Sequence, residues 1–75
     1  MKTVDTLVTM ANQIGAFFET MPDQQQALAD IAEHLKRFWE PRMRRALLAH
    51  VEQRDGAGLT AIVCNALRLH KALLA

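Results

Sequence analysis

Five cations within ten residues, Lys36, Arg37, Arg42, Arg44 and Arg45, bracket the single tryptophan of this 75-residue chain, Trp39, and a helix-starting Pro41. The chemistry of such a segment is recognition. Arginine offers a planar fork of donors that matches carboxylates and phosphates bidentately, and Trp and Arg are frequent interface anchors. On a helical wheel begun at Pro41, Arg42 and Arg45 share the outer face with Ala49 and Glu52, while Arg44 falls at the border of the apolar stripe near Leu48 and Val51. Arg44 is therefore placed to reach a buried or interfacial carboxylate, whereas Arg42 and Arg45 are compatible with solvation. For Trp39 the alternative to an interface role is core packing at a helix–helix corner.

The other reactive side chains do not assemble into a familiar constellation. His34, His50 and His70 fall on three different predicted helices, without neighbouring Cys or an acidic box at ligand spacing. His70 sits in the middle of an apolar stripe and reads as a core histidine bonded to an acceptor. His34 stands four residues after Asp30 and can pair with it. Cys64 is expected on an outer helical face, where Arg68 at i+4 and Lys71 would favour its thiolate, making it reactive rather than catalytic. With one Cys there is no disulfide framework. Paired carboxylates, a Gly-rich phosphate loop and a Ser/His/Asp arrangement are also missing. The chain itself is expected to hold no stoichiometric metal, flavin or pterin.

The elements that position these residues read as helices. Val4, Leu7, Val8, Ala11, Ile14, Gly15 and Phe18 recur at three- and four-residue spacing, predicting a first helix over about 4–20 capped by Thr3 or Asp5. Met10 and Phe17 lie along one margin and, with Met21, are expected to be more apolar surface than a small bundle needs to bury. Met21-Pro22-Asp23 breaks the pattern, and Asp23 can cap a second helix over 23–39 with Leu28, Ile31, Leu35 and Phe38 inward and Glu33 and Arg37 outward. Pro41 disfavours helical geometry at Glu40 but suits the first turn of a third helix, 41–53, which carries Met43, Leu47, His50 and Val51 inward. Arg54-Asp55-Gly56-Ala57-Gly58 supplies the turn. A fourth helix over 59–74 follows, with Leu59, Ile62, Val63, Ala66, Leu67, His70, Leu73 and Leu74 as its stripe. The fold class is thus all-α, a single-domain bundle of about four short helices.

Bulk properties narrow the setting. A chain of this length buries only about 60% of its unfolded surface, so modest stability alone, or self-association as a homo-oligomer, is expected. The composition is 51% hydrophobic with three Gly and two Pro, as a compact fold requires. Asn12 and Gln13 interrupt any apolar leader, and no apolar run approaches the roughly 18 residues of a membrane span, so a cytoplasmic setting is the expectation. Residues 1–35 hold one Lys against five acids, a net of −4, and residues 36–75 hold eight Lys/Arg against three acids, a net of +5. The basic half can attract an acidic partner patch.

One family shares these features. Leu7-Val8, Met10-Ala11-Asn12-Gln13-Ile14, Phe17-Phe18, Met21-Pro22-Asp23, Ile31-Ala32, His34-Leu35 and Phe38-Trp39-Glu40-Pro41-Arg42-Met43-Arg44-Arg45 follow in order over about residues 7–51. In them the chain resembles the small delta subunit of the soluble, molybdenum-containing, NAD-dependent formate dehydrogenases of bacteria. Beyond residue 51 the likeness thins to the Gly56-Ala57-Gly58-Leu59 loop and a final helix. Thr60-Ala61 stands where a Pro is expected. The resemblance implies an accessory subunit without a redox centre. In that family a catalytic subunit holds bis-molybdopterin guanine dinucleotide and iron–sulfur clusters, and other subunits carry flavin and the NAD site. Binding to the catalytic subunit is expected through Trp39, Pro41, Arg42, Arg44, Arg45, Met10 and Phe17. Two readings from other classes stand beside it: a small basic helical nucleic-acid-binding module, against which the net charge of +1 and the lack of a reading motif count, and an enzyme using Cys64.

Overall fold

Each of the first three helices begins where a short polar side chain or a proline permits it. In the computed structural model, which describes residues 3–75, α1 spans Val4–Phe18, and the Thr3 hydroxyl oxygen accepts the Thr6 N–H at 3.4 Å. Lys2, the single cation of the N-terminal half, lies outside the described residues. Helix α2 spans Gln24–Phe38, with Asp23 Oδ1 accepting the Gln26 N–H at 3.1 Å. Helix α3, Pro41–Arg54, has Pro at its first position, where a missing N–H costs nothing. It ends at Asp55 in the left-handed region, φ 56°, followed by Gly56 at φ 69°. A side chain at Gly56 would be strained twice over, since a Cβ there would also stand 2.5 Å from Cys64 Sγ.

The expected fourth helix over 59–74 is two helices, α4 at Ala61–Leu69 and α5 at Lys71–Leu74. The chain turns at His70, whose backbone sits at φ −109°, ψ 28°. The turn directs Leu74, 1% exposed, into a space shared with α2 and α3, and leaves Leu69 and Leu73 outward at 59% and 42%. Leu73 is thus not part of the buried stripe. His70 is half-buried, but its Nε2 has no hydrogen-bond partner, contrary to the bonded core histidine expected from sequence.

Helix α2 forms the centre of the molecule and touches every other helix. Its buried face is Ala27, Ile31, Ala32 and Leu35, joined by Leu7, Val8 and Ala11 of α1, Leu47, Leu48 and Val51 of α3, and Ile62, Val63, Ala66 and Leu67 of α4. The fold is all-α, with no strand among the described residues. Phe38, expected inside, is 70% exposed, and Trp39 one residue later takes the interior position at 6%. Phe38 falls between Ala27 and Ile31 on the helical wheel, so its side of α2 is the buried one, but it is the last residue of the helix and lies past the stretch its neighbours cover.

Helix α1 meets α4 at equally close range. A Cβ on Gly15 would lie 2.5 Å from Val63 Cγ2 and 3.3 Å from Ile62 Cγ2, so the absence of a side chain there sets the helix separation. Three residues earlier Asn12 closes the same junction with two hydrogen bonds. Its Oδ1 accepts the Thr60 N–H at 3.0 Å and its Nδ2 donates to the Gly58 carbonyl at 2.9 Å. Thr60 is the N-cap of α4 and makes no side-chain cap bond of its own, so α1 supplies the acceptor that the helix start lacks. Asn12→Ala would leave both backbone groups without these partners. A loss of about 1–3 kcal/mol in urea unfolding is expected, whereas a surface change such as Gln25→Ala should stay within about 0.5 kcal/mol.

Candidate partner-binding surface

The corner between α2 and α3 holds the residues singled out from the sequence, but at different depths. Trp39 and Arg44 are buried, 6% and 8% exposed, while Lys36, Arg37, Pro41, Arg42 and Arg45 are exposed. Arg44 Nη1 donates to the Lys36 carbonyl at 3.3 Å, which satisfies an acceptor left over in the last turn of α2, and its Nε has no partner. The guanidinium therefore supports the helix end directly, and no carboxylate of the described residues pairs with it. Arg37 lies 3.9 Å from Glu33 on the outer face. Lys36, Arg42 and Arg45 make no ion pair among the described residues. Glu40 is the one acid between positions 36 and 45.

Beside this corner runs a groove of about 410 Å³ lined by Met10, Gln13, Ile14, Phe17, Phe18, His34 and Trp39. Its rim is aromatic. Phe17 and Phe18 meet edge to face at 5.1 Å between centroids, Phe18 and His34 at 6.3 Å, and His34 and Phe38 at 4.8 Å. Among the described residues Phe17 and Phe38 are the most exposed large apolar side chains, at 74% and 70%. Met10 and Met21, expected as surface excess together with Phe17, are half-buried against the core. The structure brings Met10, Phe17 and Trp39 to one groove and leaves Pro41, Arg42 and Arg45 exposed outside its lining. A second depression, about 660 Å³, lies between α1 and α3. Its lining mixes Ala46, Ala49 and Ala57 with Asp5 and Arg54, so it concentrates neither aromatic surface nor charge of one sign.

The remaining reactive side chains are occupied locally. His34 packs between Phe18 and Phe38 rather than pairing with Asp30, which accepts from Gln26 Nε2 at 2.8 Å. His50 Nε2 lies 2.7 Å from the Ala57 carbonyl oxygen. Cys64 is half-buried, not outward, and its thiol donates to the Gly56 carbonyl at 3.9 Å. The two cations expected beside it turn elsewhere, Arg68 to Asp55 at 2.7 Å and Lys71 to Glu52. Among the described residues no group of three His, Cys, Asp or Glu side chains is placed to hold a metal ion.

Asn12 is the residue that sequence reasoning underused. It belongs to the Met10–Ile14 motif, yet its role as the link between α1 and α4 needed the fold. A side chain that competes with backbone hydrogen bonds, placed at the margin of an apolar helix face, was the available signal.

This surface belongs to a small all-helical domain that presents an aromatic groove beside an uncompensated cationic corner. The family model of the NADH-dependent formate dehydrogenase delta subunit, FdsD, matches residues 6–67, and the chain belongs to that family. The match continues past residue 51 through the glycine loop and most of α4, further than the sequence motifs alone reach. It covers the groove, the Asn12 bridge and the cationic corner, and stops before α5. No curated protein and no solved structure matches the chain. Among the described residues no helix is long and apolar enough to cross a membrane.

Proposed function

We propose that this chain is a non-catalytic accessory subunit of a cytoplasmic NAD-dependent formate dehydrogenase, which binds the catalytic subunit and supports its assembly or its molybdenum-cofactor-loaded state. The observation that carries this reading is the pairing of two exposed phenylalanines, Phe17 and Phe38, with a groove that the buried Trp39 helps to line, and with Lys36, Arg42 and Arg45 exposed on either side of Trp39 in the chain. Exposed aromatic surface marks an interaction site, and the cations near it in the chain are free to pair with a docked partner. Membership of the delta-subunit family supports a formate dehydrogenase complex as the setting of that docking. Bis-molybdopterin guanine dinucleotide, iron–sulfur clusters and flavin would then reside in the partner subunits, as the family resemblance implies.

Co-purification from the native host tests the reading. The double substitution Arg42→Glu/Arg45→Glu changes two exposed residues, so the helical circular dichroism should be unchanged. Retention of the chain on the catalytic subunit should fall at least tenfold, or about 1.4 kcal/mol, together with the molybdenum content and activity of the purified enzyme. Full retention and activity of the folded double variant would count against the cationic corner. Salt-sensitive binding of random DNA or RNA, with no formate dehydrogenase subunit retained, would replace the proposal by the nucleic-acid-binding reading.

A further inference from the structure

We draw no further inference here: the strongest candidate, the aromatic groove that Met10, Phe17, Phe18, His34 and Trp39 line between α1 and the end of α2, is an unpartnered apolar face, and nothing in the structure shows what covers it.

Discussion

Trp39→Ala is expected to leave the chain largely unfolded at room temperature. Trp39 is 6% exposed and lies where α2 ends, under the α1 residues that wall the groove. Truncating a buried aromatic to Ala costs about 3–5 kcal/mol, and a core of this size rarely supplies more than about 3–5 kcal/mol in total. Trp39→Phe keeps much of the ring and should cost about 1–2 kcal/mol, leaving a cooperative transition at lower urea. Far-ultraviolet circular dichroism against urea separates the two outcomes. If Trp39→Ala melts within a few degrees of the parent, the residue is not the structural keystone its burial implies, and the sequence reading of Trp39 as an interface anchor alone would stand. As matters are placed, Trp39 does both: it fills the corner and floors the groove, so loss of partner binding by Trp39→Ala cannot be read apart from loss of the fold.

Gly15→Leu should be nearly as damaging, and Gly15→Ala should lower stability where helix propensity alone predicts a gain. In an isolated helix, Ala in place of Gly is favourable by about 1 kcal/mol. Here the added Cβ would stand 2.5 Å from Val63 Cγ2, and Val63 is fully buried and stiff at χ1. Separating α1 from α4 would also pull on the two Asn12 hydrogen bonds. Overpacking of this kind costs about 1–3 kcal/mol, so the net effect of Gly15→Ala is a loss of about 1 kcal/mol and that of Gly15→Leu about 3 kcal/mol. The contact is tested by a double-mutant cycle: Val63→Ala, destabilising alone, should cost less in the Gly15→Ala background because it vacates the space the methyl group needs. Purely additive urea midpoints would mean that the two helices do not meet as described.

The comparison of pattern with structure divides along sequence distance. Thr3, Asp23 and Pro41 announced their helix starts because capping is settled by neighbours in the chain, and the Asp55–Gly58 turn announced itself by its glycines. Phe38 lies on the buried side of α2 by period yet is exposed, because it is the last residue of the helix and a stripe read from spacing does not show how far along the helix its neighbours reach. The turn at His70 carries no Gly or Pro and lies inside an unbroken helical period, so only the packing of Leu74 against α2 and α3 marks it. Proximity along one helix points Arg68 and Lys71 to Cys64, yet Arg68 of α4 pairs with Asp55 at the end of α3, and Lys71 of α5 pairs with Glu52 of α3. For the candidate surface, the motif around Trp39 and the margin residues Met10 and Phe17 were legible. Their convergence on one groove, and the burial of Arg44 under the cationic corner, depend on helix rotation that no local pattern encodes.

The Asn12 bridge bears on how the chain is made as well as on how it holds. Its two bonds span 46 and 48 positions, so the junction of α1 with α4 closes only when most of the chain is present. During synthesis α1 emerges first, and the side of it carrying Asn12 and Gly15 has no covering helix until the segment beyond Thr60 has followed. For that interval the nascent chain shows an open helical flank next to the residues that later line the groove. Its final closure is a late, long-range step, which waits for α4 although α2 and α3 cover other parts of α1 earlier.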